Sequence, residues 1–149
     1  MKKSLIYRII RVTLITLVAI QFLPVDRSVP EYEKENDFIL NSQLEDQYKS
    51  LVKNACYDCH SYQTDYPWYA KVAPISFSIQ GHVNEGREHL NFSKWESYTP
   101  SEKEKMLDEA AEEIHEGEMP LRGYRWLHKE ARLSDLERKE LAEALKVLR

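Results

Sequence analysis

The chain has 149 residues, 42% of them hydrophobic, with 3 Trp, 9 Tyr and 4 Phe, enough apolar bulk for one small domain with an appendage. Its formal net charge is −4; because Lys2, Lys3, Arg8 and Arg11 precede every acid, residues 12–149 carry −8, which argues against nucleic acid as a partner. Two cysteines are too few for a disulfide scaffold and stand too close to close a useful loop, so their role is local chemistry.

The N-terminal stretch MKKSLIYRIIRVTLITLVAIQFLPV has a basic start and an uncharged run from Val12 to Val25. That run alone is short for a span, which takes about 20 residues, but Leu5 to Leu23 suffices if Arg8 and Arg11 snorkel to the head groups. Residues 1–25 are therefore a membrane anchor or a signal segment. Bulky Phe22 and Leu23 offer no small-x-small cleavage site and no lipoprotein cysteine follows, which favours the anchor. In both readings the basic end stays in the cytoplasm. The expected location is the cytoplasmic membrane, single-pass, with the remaining chain on the periplasmic or extracytoplasmic side. Residues 26–40, with Pro30 and alternating charges, read as a linker.

Residues 41–149 read as a helical domain. Asn41 and Ser42 are candidate caps for a helix with Leu44, Tyr48, Leu51, Val52 and Ala55 on one face, running into the cysteines. A loop rich in aromatics follows, punctuated by Pro67 and Pro74. Pro74 opens a further helix with Ile75, Ile79, His82 and Val83, weakened by Gly81 and Gly86. Thr99, Pro100 and Glu102 make a strong start signal for a helix that buries Met106, Leu107, Ala110, Ala111 and Ile114 and ends at Gly117. Ser134 and Glu137 repeat the capping pattern before Leu141, Leu145 and Leu148. No strand alternation or repeat is present, so the expected class is all-α.

The stretch NACYDCHSYQ holds both cysteines in a C-x-x-C-H pattern at Cys56, Cys59 and His60. Zinc would need further ligands, and a finger would need histidines three to five residues apart, a spacing His82 and His89 do not have. A dithiol redox site belongs in a βαβ context and leaves His60 unexplained. Haem attachment uses every member: each thiol forms a thioether with a vinyl group and His60 ligates the iron. One haem c per chain is expected.

The stretches CYDCHSYQTDYPWYAKVAPIS, GREHLNFSKW and GEMPLRGYRWLHKEARLSDLERKEL together resemble the bacterial haem-binding domain family, a single-haem group related to c-type cytochromes. The resemblance covers about residues 40–149 and implies a membrane-tethered monohaem protein with a small cytochrome c-like helical domain. It supplies no reaction.

For the second axial position, Met119 stands between helix-ending Gly117 and stiffening Pro120, an arrangement similar to that of soluble cytochromes. His82 is the alternative; His115 follows, and His89 and His128 read as surface or structural groups. Trp68 and Tyr69, with Tyr66, are expected to cover one porphyrin edge. A carbonyl of the loop up to Pro74 is expected to accept the His60 ring proton. Arg87 and Arg122 are candidate partners for the haem propionates. Electron transfer with an exported redox partner is the leading functional expectation, and a sensor of a small gas or peroxide is the alternative. An electron carrier is expected rather than a catalyst, because no distal acid–base pair is evident.

Overall fold

The computed structural model describes residues 2–148; Met1 and Arg149, the outer limits of the expected segments, lie outside the described residues. The helices are α1 (Lys2–Ala19), α2 (Phe38–Asn41), α3 (Asp46–Ala55), α4 (Tyr57–His60), α5 (Ile75–His89), α6 (Pro100–Glu116), α7 (Arg122–Leu127) and α8 (Asp135–Val147), joined by short 3-10 turns. No strand occurs among the described residues, so the chain is all-α.

The segment Lys3–Phe22 spans 20 residues at mean hydropathy 1.8, long and apolar enough to cross a membrane, a property it shares with secretory signals. The end of this segment and the chain just after it are tied to the domain at several points. The Gln21 side-chain amide donates to the Ala73 carbonyl and accepts from the Ala73 N–H, both at 3.0 Å. The Arg27 guanidinium hydrogen-bonds the Ala70 carbonyl and lies 5.1 Å from the Tyr66 ring centroid.

The folded domain also begins earlier than residue 41. Phe38, assigned to the linker from sequence, is fully buried, with ring centroids 4.8 Å from Trp95 and 4.9 Å from Phe92. Asp37 is buried beside it and caps α2 by accepting from the Ile39 N–H. Asn41 and Ser42 do not cap α3: Asn41 closes α2 and turns its amide back to the Glu35 and Asp37 carbonyls, while Glu45 precedes α3 without a side-chain cap.

Both capping boxes form. Thr99 and Glu102 start α6, and Ser134 and Glu137 start α8, each box satisfying two otherwise orphaned N–H groups and contributing about 1 kcal/mol. Leu107, Ala111 and Ile114 are buried on one stripe of α6, against which α8 packs its own buried Leu141, Ala142 and Leu145. This pair makes one wall of the core. The other is the aromatic cluster of Phe38, Tyr57, Phe92 and Trp95, on which the cysteine motif sits.

Candidate functional site

Helix α3 ends where Cys56 leaves helical geometry, at φ −122° and ψ −33°, and the chain then makes the single turn of α4. The N–H groups of Cys59 and His60 both donate to the Cys56 carbonyl, at 3.2 and 2.9 Å, which brings the motif's residues onto one turn. Tyr57 fixes this turn in the core. Its ring is buried and stacked on Phe92 with centroids 5.3 Å apart, and its hydroxyl donates to Asp37 at 2.7 Å. Cys56, Asp58, Cys59 and His60 are left partly buried around it.

Helix α5 packs closely against the motif, and Gly86 makes that possible. A Cβ at this position would stand 2.8 Å from the Cys59 carbonyl oxygen, well inside contact distance. The residue that ends α5 then supplies a free carbonyl, because the last turn of a helix leaves its acceptors unused. Leu90 turns its carbonyl to His60 Nδ1 at 3.1 Å. A carbonyl only accepts, so Nδ1 carries the proton and Nε2 keeps its lone pair. The acceptor expected in the loop up to Pro74 is therefore replaced by the end of α5, which the Gly86 contact brings over the histidine.

Burial governs the ionisation of these groups. It pushes the Cys56 thiol up to about 12, helped by Cys59, and the Cys59 thiol up to about 11, with Asp58 adding and Arg87 opposing. It holds the His60 imidazole below its ordinary value, against the bond to Leu90. The two thiols are free rather than joined, and the imidazole is a neutral lone-pair donor. Among the described residues no group of three or more His, Cys, Asp or Glu side chains is arranged to hold a metal ion. A donor set of two protonated thiols and one imidazole with a free nitrogen fits haem, which brings four ligands of its own.

Helix α7 reaches Asp58, the acid between the cysteines, through Tyr124, and the 3-10 turn Trp68–Lys71 meets the residue after α7 through Tyr69. The Tyr124 hydroxyl donates to Asp58 at 2.7 Å, and its ring stacks on His128 at 4.1 Å between centroids. Tyr69 Oη and His128 Nε2 are 2.6 Å apart, and His128 Nδ1 lies 3.2 Å from Glu130. Burial and the bond to Asp58 raise the Tyr124 pKa far above a normal phenol. Sequence reasoning missed Asp58 and Tyr124; the only signal was an acid placed inside the motif.

Met119 is partly buried and packs on the same core as Cys56 and Tyr124. It follows Gly117, whose left-handed φ of 84° ends α6, and precedes buried Pro120. Arg138 Nη1 donates to the carbonyls of Ile114 and Met119, both at 3.2 Å, so the loop is held by its backbone. His82 is exposed, one turn before Gly86 on α5, and His89 and His115 are exposed as well. Trp68, in the 3-10 turn, and Trp126, in α7, are large exposed side chains.

Arg87 already has partners within the fold. Its Nε donates to the Ser61 carbonyl at 2.8 Å and its Nη2 to the Thr64 hydroxyl at 3.0 Å, bracing the chain just after the motif. Arg122 is exposed beside Arg125, Trp126 and Arg132 in a shallow surface hollow.

No curated protein and no solved structure matches this chain. A family model described as the haem-binding domain matches residues 15–146, which takes in the end of α1, the cysteine motif and the Met119 loop. The chain belongs to the haem-binding domain family.

Proposed function

We propose that this haem-binding domain carries one c-type haem, joined through thioethers at Cys56 and Cys59 and ligated by His60 and Met119, in a membrane-tethered exported domain that transfers electrons. The observation that carries this reading is the His60–Leu90 hydrogen bond, which fixes the tautomer and orients Nε2 as a ligand in advance. Attachment adds each S–H across a vinyl group: a carbon–sulfur bond forms, the thiol proton passes to the other vinyl carbon, and no external oxidant is needed. Burial raises both thiol pKa values in the folded chain, which disfavours the reactive thiolate there relative to an open chain.

Bound haem iron supplies a reversible one-electron couple. The chain's own residues orient and shield it. His60 Nε2 would ligate the iron, the Met119 thioether would supply a second protein ligand, and Trp68 and Tyr69 would cover the porphyrin. Asp58, Tyr124 and His128 pin the α7 side of the site to the motif. The hydrogen bonds from Gln21 and Arg27 to the domain favour an N-terminal segment that stays attached rather than one removed at export.

Sensing of a small ligand is the second reading, favoured by the Met119 loop being held through backbone carbonyls rather than at the side chain. Spectra of the haem-loaded full-length protein, reduced, with and without carbon monoxide, separate the two. Electron transfer predicts an unchanged six-coordinate spectrum on adding carbon monoxide. Ready formation of the carbon monoxide adduct would favour sensing.

A further inference from the structure

Two exposed apolar surfaces meet at the end of α1. Phe22 (83% exposed) and Leu23 (56%) close the apolar run, and Val72 (41%) and Phe77 (37%) stand open on the domain. Gln21 joins the two, because its paired hydrogen bonds with Ala73 bring the last turn of the apolar segment to within side-chain reach of the start of α5. Arg27 repeats the tie at Ala70 and Tyr66. The exposure of Phe77 is not a face prepared for haem. It lies nine residues before Gly86, about two and a half helical turns, and so on the side of α5 opposite the edge that touches Cys59. Exposed Lys71 adds a cation beside Val72.

We propose that Val72, Phe77 and Lys71, continuous with Phe22 and Leu23, form a lipid-docking face that lays the haem domain on the bilayer in a fixed orientation; this rests on the anchored reading of α1. Lipid is the occupant because the patch begins where the hydrocarbon span ends, and a side chain of that span's last turn reaches the domain backbone directly, which holds this edge of the domain at the level of the head groups. Phe77 and Val72 enter the head-group boundary, as the apolar face of an interfacial helix does, and Lys71 extends its ammonium to anionic head groups. Since Gly86 and Cys59 lie on the far side of α5, docking turns the motif away from lipid and toward a partner in the aqueous phase.

The test is photo-crosslinking of the haem-loaded full-length protein in vesicles of phosphatidylethanolamine and phosphatidylglycerol. A p-benzoylphenylalanine is substituted singly for Phe77, for Ile15 within the apolar segment, or for exposed Leu136 on α8, and the haem spectrum checks that each variant is folded. The expected result is lipid adducts at positions 15 and 77, several-fold above those at position 136. Adducts at position 15 with position 77 at the level of position 136 would overturn the docking face and leave the anchor standing. Adducts at neither 15 nor 77 would overturn the anchor, and the docking face with it.

Discussion

His60 and Met119 are proposed for the two faces of one iron, yet the fold treats them differently. His60 is fixed through its ring: Nδ1 is bonded to Leu90, the turn beneath it is rooted by buried Tyr57, and α5 closes on the motif through Gly86. Met119 is hydrogen-bonded only through its main chain, by Arg138 on its carbonyl and by its own N–H on the Glu113 carbonyl, and its side chain is held by packing alone. An oriented imidazole needs no reorganisation to bind iron, whereas a thioether on a backbone-held loop can leave without disturbing the fold. In the proposed haem complex the His60 side would be the rigid one and the Met119 side the adjustable one, where a redox potential or a ligand response would be tuned.

The largest expected effect tests the adjustable side. Met119→Ala should remove the methionine-to-iron charge-transfer band of the oxidised protein, lower the reduction potential and let carbon monoxide bind reduced iron, with little loss of haem on denaturing gels. Retention of the band would move the ligand to the domain's other methionine, Met106, whereas a native protein without the band would make His82 the next residue to substitute. On the rigid side, Gly86→Ala forces a Cβ to 2.8 Å from a backbone oxygen that cannot swing away, so it should cost about 1–3 kcal/mol and lower the yield of haem-loaded protein. Thermal unfolding and haem content measure both. Unchanged values would mean that α5 does not approach the motif as described.

Tyr124→Phe removes one hydrogen bond between α7 and Asp58 and should cost about 1 kcal/mol in denaturant unfolding, with the absorption spectrum nearly unchanged. A smaller and sharper contrast comes from pH. Both thiols ionise at higher pH in the folded chain than their ordinary value of 9.0, so the stability they contribute is whole below pH 9 and is lost as pH rises through about 11 and 12. Haem-free protein should show that alkaline loss in its melting temperature. Haem-loaded protein should lack this contribution, because its sulfurs are thioethers and no longer titrate.

What the sequence revealed was local. The capping boxes at Thr99 and Ser134, the one-sided stripe of α6 and the C-x-x-C-H turn each depend on residues within a turn or two, and each was legible. What it hid was contact between distant segments. The acceptor for His60 lies thirty residues away, at a helix end where nothing in the local sequence points to the histidine. Gly86 reads in isolation as a weak point in a helix, and only the approach of Cys59 gives the absent side chain its use. Asp37 and Phe38 sit at the end of a charged stretch that looks like a tether, but Phe38 has aromatic partners at residues 92 and 95 and Asp37 has the Tyr57 hydroxyl.

The central claim is that Cys56 and Cys59 are covalently bonded to haem. Intact-mass analysis under denaturing conditions, on full-length protein made with a cytochrome c maturation system, tests it most directly. The account predicts one haem added to the chain of the native protein and none to the Cys56→Ala, Cys59→Ala double variant. A native chain that loses its haem on denaturation, or a double variant that keeps it, would contradict it.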